Sequence, residues 1–202
     1  PHRACRGRDT VGHDTTTARR EERPVSTEDD GQELIIPDPG TPAYWDVVWV
    51  YAEVYALGHF DMELEPVREA ISNMGGIYGA RGIADLAAQL LARVRLTDNT
   101  TPGKELVAQA RDGAAVVRFD SEDVVNVSEE PYQIAAVDQI APILAEALEL
   151  DHCDGRSIAA FLQDKMNGSP DLHYTALVSV AGGICSRVRR RAIQAAAKNS
   201  GH

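Results

Sequence analysis

The chain has 202 residues, of which 44% are hydrophobic and 5% aromatic, and its formal net charge is −11. This length suits one domain with a tail, and the negative charge disfavours sequence-independent nucleic-acid binding, which depends on many cationic contacts to phosphate. No apolar run approaches the ~20 residues of a membrane-spanning helix, and no apolar signal-peptide core opens the chain. We therefore expect a cytoplasmic protein without a membrane partner.

Residues 1–40 mix charges of both signs with Thr, Pro and Gly and show no apolar periodicity. Their apolar patch, Leu34–Ile36, is closed by Pro37 and Pro39. A segment of this composition buries too little surface to offset the entropy lost on ordering. We predict a disordered N-terminal arm over residues 1–40, whose apolar patch could dock on the body, followed by an α-helical domain over residues 41–198.

Three apolar runs with helical spacing begin at a hydroxyl residue followed by proline, at Thr41-Pro42, Thr101-Pro102 and Ser169-Pro170. A Ser or Thr at the N-cap accepts a hydrogen bond from a free N–H of the first turn, and proline fits the next position because its missing N–H would be unpaired there. These pairs predict helix starts. Together with the apolar spacing they predict a mainly α, single-domain bundle of about six or seven helices.

The first predicted helix runs from Pro42 to Leu57, although residues 47–51 would also suit a buried strand. Its predicted core face is the set of apolar side chains at helical spacing: Trp45, Val48, Trp49, Ala52, Tyr55 and Ala56. A second helix is predicted over Leu64–Met74, ended by Gly75-Gly76, and a third over Ala80–Leu96.

The glycine-rich residues 75–79 lack the Gly-Lys-Ser/Thr ending of a phosphate-binding loop and follow a predicted helix instead of a strand. They are predicted to be an interhelical loop. After a short predicted helix over Pro102–Arg111, two β-branched runs flank the polar residues 120–123. This pattern predicts a small β-hairpin near residues 114–127, and a helix beginning at Glu122 is the alternative.

The next predicted helix spans residues 131–150. It contains Pro142, which removes a backbone donor and predicts a kink or break near Ile140. Asp154 is the predicted N-cap of the following helix. Gly182-Gly183, inside the last helix, predicts a point of close packing or a kink, because glycine is unfavourable there by about 1 kcal/mol relative to alanine.

The last two predicted helices, Gly155–Met166 and Ser169–Lys198, have the lengths of a helix-turn-helix. The cations that could contact phosphate are Arg187, Arg189, Arg190 and Arg191. They lie roughly 25 Å from Asp171, at the far end of the would-be reading helix, and the helix dipole favours cations there without any ligand. A bundle hairpin is the favoured interpretation, and DNA binding through residues 155–191 is the alternative.

His152 and Cys153 lie within Asp151–Asp154, a run of metal-competent residue types. Adjacent residues at a helix entrance cannot all face one ion, and His59, Asp61 or His173 would have to complete the site. A catalytic thiol would also need a base across space and an oxyanion hole. An enzyme site near His59, His152 and Cys153 is therefore only an alternative, and no cofactor or metal is predicted.

The three cysteines form no CxxC pair, so reduced thiols are expected. Residues 41–186 carry 22 acidic and nine basic side chains, whereas the five charged residues beyond them are all basic. The uneven distribution of charge and the lack of a coherent catalytic set predict a non-catalytic helical module. We expect this module to bind another protein or to self-associate. A nucleic-acid partner is the less favoured alternative.

Overall fold

The computed structural model describes residues 36–111, 116–119, 125–128, 134–169 and 171–200. Within these ranges it is a mainly α-helical bundle with one two-stranded sheet, as predicted. The elements are α1 (Pro42–Asp61), α2 (Leu64–Thr97), α3 (Gly103–Arg111), β1 (Val116–Phe119), β2 (Val125–Ser128), α4 (Ile134–Leu148), α5 (Gly155–Met166) and α6 (Asp171–Ser200). Most of the predicted arm, residues 1–35, lies outside the described residues.

Side-chain caps start two of the helices as predicted. The Thr41 hydroxyl accepts a hydrogen bond from the Tyr44 N–H at 3.2 Å and caps α1. The Asp154 carboxylate caps α5 by accepting hydrogen bonds from the N–H groups of Arg156 and Ser157, at 2.9 and 3.0 Å. Thr101 behaves differently, because its hydroxyl donates to the Asp98 carboxylate at 2.6 Å. It therefore closes the turn before α3, which starts at Gly103.

Helix α2 consists of two helical segments that meet at Gly79, whose φ of 63° and ψ of −152° are not helical. A Cβ atom added at Gly82 would overlap the Met74 carbonyl oxygen, so the chain reverses and the two segments lie against each other. The predicted pair of helices is confirmed, but the first segment continues past Met74 through residue 78. Gly75 and Gly76 are helical, and the predicted five-residue loop reduces to Gly79.

The second segment of α2, residues 80–97, is the central helix of the bundle. Seven consecutive residues, 82–88, are buried, so this helix is covered on every side. Helices α1, α5 and α6 all contact α2. A helix buried on every side gains stability mainly by removing apolar surface from water.

Helix α6 packs closely on α1 at Gly182. A Cβ at this position would lie 3.0 Å from His59 Cδ2 and closer still to the Tyr55 ring. The Tyr55 hydroxyl donates to the Val178 carbonyl oxygen at 3.3 Å, one turn earlier on α6. The predicted point of close packing is confirmed, and the absence of a side chain at Gly182 is what admits the Tyr55 ring.

The two predicted strands are confirmed, and residues 125–128 are extended instead of helical; the predicted turn and Glu122 lie outside the described residues. Strands β1 and β2 pair antiparallel, with Val116 opposite Ser128 and Phe119 opposite Val125. Of the kink or break predicted near Ile140, the break does not occur, because α4 is one helix through Pro142. Pro142 lies on the exposed side of α4, where water can satisfy the carbonyl group that loses its partner.

Among the described residues, no helix has both the length and the apolar composition needed to cross a bilayer.

Candidate functional site

The arginines proposed as phosphate contacts lie in the second half of α6 and fold back on the body of the protein: Arg187, Arg189, Arg190 and Arg191. Arg189 forms an ion pair with Glu53 of α1 at 3.8 Å. The guanidinium groups of Arg189 and Arg190 lie 5.2 and 4.9 Å from the centre of the Phe60 ring.

Two further contacts occupy the same cations. Arg190 donates to the Phe60 carbonyl oxygen at the end of α1, and Arg191 donates to the Gln109 side chain of α3. Three of the four arginines therefore join α6 to its neighbours. A phosphate backbone would have to displace these contacts, so the geometry favours the bundle hairpin over nucleic-acid binding.

The residues of the enzyme alternative have different neighbours. His59 is buried in α1 beside Tyr55 and Gly182. Cys153 is half-buried after α4, and its thiol donates to the Leu150 carbonyl oxygen at 2.7 Å. Burial raises the pKa of this thiol, which works against a reactive thiolate. His152 and Asp61 are exposed.

Within the described ranges, no three His, Cys, Asp or Glu side chains are close enough to hold a metal ion.

A buried carboxylate, which sequence reasoning missed, joins three helices. Asp85 lies in the central segment of α2 and is fully buried. Its two oxygens accept hydrogen bonds from the Tyr44 hydroxyl of α1 and the Gln163 side-chain amide of α5. Arg81, one turn earlier on α2, lies 3.7 Å from the same carboxylate. A buried charge needs such partners, because burial without them is very costly.

The electrostatics of this cluster fit a structural connection. Burial raises the pKa of Asp85, and the hydrogen bonds from Tyr44 and Gln163 oppose that rise. Burial and the neighbouring carboxylate raise the pKa of Tyr44, which keeps its phenol protonated as a donor. Asp85 is the only charged residue between Gly82 and Ala92. A single charged residue within an apolar helical run is the sequence signal that could have indicated a buried carboxylate.

One open cavity of about 900 Å³ lies between α3 and α4 and is lined mainly by Pro, Ala and Val side chains with Lys104 and three carboxylates. Another, of about 640 Å³, lies where the ends of α2 and α4 meet the start of α5 and is bordered by Arg95, Leu96 and Cys153. The described lining of the larger cavity contains no Ser, Cys or His side chain.

Helix α1 turns most of its predicted face to the core, and Trp49 is the exception. Its buried residues are Tyr44, Val48, Ala52, Tyr55, Ala56, Gly58 and His59. Trp49, predicted to be in the core, is 54% exposed, and its ring stacks with the Arg93 guanidinium at 4.5 Å. The hydrogen bond from Tyr44 to Asp85 fixes this orientation. The predicted helix is confirmed and the alternative strand over residues 47–51 is wrong.

A second apolar stripe runs along α1 beside its core face. Its members are spaced i, i+4, i+7, i+11 and i+14 along the helix: Ala43, Val47, Val50, Val54 and Leu57. We call this set the outer α1 stripe. Val50 is 53% exposed and Leu57 38% exposed, whereas Val47 and Val54 are partly buried and pack against the core.

The first segment of α2 lies beside the outer α1 stripe. Tyr44 and Tyr78 make an edge-to-face contact at 4.8 Å near one end of α1, and Gly58 lies against Pro66 near the other. Residues 64–78 therefore run antiparallel to α1. This segment adds exposed Leu64 and Ile77.

Charged residues limit the stripe on its other side. Glu53 is paired with Arg93 at 3.2 Å and with Arg189. Asp46 is exposed one turn before Val50. The outer α1 stripe is thus an apolar surface with a charged border, an arrangement typical of protein interaction sites.

No protein-family model, curated protein sequence or solved structure matches this chain.

Proposed function

We propose that the protein is a cytoplasmic, non-catalytic helical interaction module that binds a protein through the outer α1 stripe. The observation that carries the proposal is that α1 has a complete buried face and still exposes Val50 and Leu57 on the outer α1 stripe. A helix that is apolar all round is normally buried all round.

The energetics support a covering partner. Removing apolar surface from water contributes about 25 cal/mol per Å². Val50 and Leu57 leave much of their side chains in water, although α1 already has a complete core face. A helix that served only the fold would gain solubility from polar residues at these positions. The thiols of Cys153 and Cys185 are both unbridged, which supports a reducing compartment.

The test compares the wild-type protein with Val50→Glu in size-exclusion chromatography with light scattering and in affinity capture. We expect the wild type to form a specific complex and Val50→Glu to lose it, because a carboxylate would be buried at the centre of the contact. Leu96→Glu is the matched control, since Leu96 is 87% exposed at the end of α2 and outside the stripe.

Circular dichroism should show the same helix content for both variants and the wild type, because both substitutions are at exposed positions. A wild-type protein that forms no complex with itself or with any other protein would overturn the proposal.

A further inference from the structure

We infer that Gly79 is a hinge at which α2 straightens into one continuous helix, so that two copies of the chain exchange residues 36–78 and form a domain-swapped dimer. This inference goes beyond the proposed function and does not depend on the outer α1 stripe. It rests on the backbone at Gly79, on the contacts within residues 36–78 and on the contacts that join these residues to the rest of the bundle.

A single residue separates the folded form of α2 from a straight helix. Gly79 has a φ of 63° and a ψ of −152°, whereas the residues on both sides of it are helical. Rotation of these two angles to helical values would make residues 64–97 one helix. Gly79 is exposed, and no heavy atom of the described residues lies within 4 Å of the position that a Cβ would take. Packing at the turn therefore offers little resistance to this rotation.

The backbone gains hydrogen bonds when α2 is straight. A helix that ends leaves up to four C=O groups without an intrahelical partner, and a helix that begins leaves up to four N–H groups unpaired. A straight α2 would pair the C=O groups before Gly79 with the N–H groups after it. Glycine is unfavourable within a helix, but Gly75, Gly76 and Gly82 are helical in both forms. Only Gly79 therefore adds a cost to the straight form.

The exchanged part of the chain forms a unit that keeps its internal contacts when it moves. The Tyr78 hydroxyl donates to the Pro37 carbonyl oxygen at 3.2 Å, and the Tyr78 ring packs edge to face on Tyr44 at 4.8 Å. Near the other end of α1, a Cβ on Gly58 would lie 3.0 Å from Pro66. These contacts join α1 to the first segment of α2 at both ends, so the two helices move together.

The same contacts hold the exchanged part in the folded and the swapped forms. Within one chain, Tyr44 donates to the buried carboxylate of Asp85, and Glu53 pairs with Arg93 at 3.2 Å. In the swapped dimer, these contacts form between the two copies with the same geometry. The two forms therefore differ mainly at Gly79 and in the entropy of association, so the hinge residue and the protein concentration select between them.

Exchange would double the number of outer α1 stripes in one particle. The exchanged contacts leave Val50 and Leu57 exposed, so each half of the swapped dimer presents its own stripe. Two linked binding surfaces bind a partner with repeated sites more tightly than one surface does, without any new contact. If the proposed function holds, the hinge therefore converts a monovalent module into a bivalent one.

The first test compares Gly79→Ala with Gly76→Ala by light scattering, after unfolding in urea and refolding at high and at low protein concentration. Alanine favours the straight helix and disfavours the positive φ of the turn. We expect the association constant of Gly79→Ala to exceed that of the wild type by more than about 100-fold, because each dimer contains two hinges. Gly76→Ala is the matched control, since Gly76 is helical in both forms and a Cβ there meets no heavy atom of the described residues within 4 Å.

Ala80→Pro should have the opposite effect. Proline fits the first turn of the second segment in the folded form, but it breaks the helix interior that the straight form requires. We expect Ala80→Pro to refold as a monomer at concentrations where the wild type and Gly79→Ala form dimers, with the same helix content by circular dichroism. This comparison with the wild type tests the hinge even if Gly79→Ala folds poorly.

A distance within one chain identifies the swap. Spin labels at Ser72→Cys and Leu96→Cys are both at exposed positions of α2, in a chain that also carries Cys5→Ser, Cys153→Ser and Cys185→Ala. A straight α2 separates them by about 36 Å, whereas the folded form brings them to about 20 Å. Labelled chains refolded with an excess of unlabelled Gly79→Ala chains should show the longer distance in the dimer fraction, because dilution removes distances between two labelled copies.

Three outcomes would overturn the inference. They are a Gly79→Ala dimer whose labels stay about 20 Å apart, a refolded Gly79→Ala that dimerises no more than Gly76→Ala, and an Ala80→Pro that dimerises as strongly as the wild type. Val50→Glu separates the inference from the proposed function. The swapped dimer should keep its mass in this variant, because Val50 lies outside the exchanged contacts, whereas a complex formed through the outer α1 stripe should be lost.

Discussion

Replacing Gly182 by alanine tests the packing of α6 on α1. Alanine normally stabilises a helix interior by about 1 kcal/mol relative to glycine. Here the added Cβ would lie 3.0 Å from His59 Cδ2 and would overlap the Tyr55 ring. Tyr55 is fully buried and bonded to the Val178 carbonyl oxygen, so its ring has little room to move. Overpacking of this kind costs about 1–3 kcal/mol.

We expect the cost at Gly182 to lie near the upper end of that range and to exceed the gain in helix propensity. Gly182→Ala should therefore lower the free energy of unfolding by about 1–2 kcal/mol. Gly76→Ala is the matched control, because a Cβ there meets no heavy atom within 4 Å. The control should raise the free energy of unfolding by about 0.5–1 kcal/mol.

The measurement is urea unfolding followed by far-UV circular dichroism, at one protein concentration for all variants because association would contribute to stability. Combining Gly182→Ala with Tyr55→Leu should remove most of the cost, since the smaller side chain frees the space. If Gly182→Ala stabilises the protein as much as Gly76→Ala, the reasoning about this contact is refuted.

Three further changes test the turn and the two perturbed carboxylates. Gly79→Ala should lower stability by about 1–2 kcal/mol in the same urea experiment, because its positive φ disfavours any residue with a Cβ. Burial raises the pKa of Asp85 above its ordinary 3.8, so the folded state holds this proton more tightly than the unfolded chain. The stability that Asp85 contributes through this proton is present below pH 3.8 and is lost as the pH rises through the pKa of Asp85 in the folded protein. We therefore expect the free energy of unfolding of Asp85→Asn to increase relative to that of the wild type as the pH rises from 3.8 through that pKa. A difference that does not change with pH would contradict this prediction. Hydrogen bonds from the side chain and backbone of Thr101 lower the pKa of Asp98 to about 2. The stability that the Asp98 carboxylate contributes is present above pH 3.8 and is lost as the pH falls towards 2. The wild type should therefore be more stable to unfolding than Asp98→Asn above pH 3.8, and this difference in free energy should disappear as the pH falls towards 2.

The elements predicted most accurately are those marked by local signals. Helix α5 has the predicted bounds because Asp154 caps its first turn and the Asn167-Gly168 turn follows it. The hairpin was predicted because β-branched residues flank a polar loop, a pattern that depends only on neighbours in sequence. These interactions join residues that are close in sequence, so local sequence patterns are enough to predict them.

Features that depend on distant residues were missed. Asp85 is held by Tyr44 and Gln163, which are 41 and 78 residues away in sequence. Nothing local indicates that those two side chains meet it. The sequence also left open whether Pro142 would kink or break its helix, because the effect of a proline depends on whether it faces the core or water, and α4 continues through it.

Helix α1 buries most of its predicted core face, because spacing along a helix is a local signal, and only Trp49 of that face is exposed. The bond from Tyr44 to Asp85 and the close approach of Tyr55 to Gly182 hold this face against the core. The exposure of Val50 and Leu57 on the outer α1 stripe was not predicted. Because exposed aliphatic side chains contribute little to the fold of one chain, their simplest physical role is to meet another apolar surface.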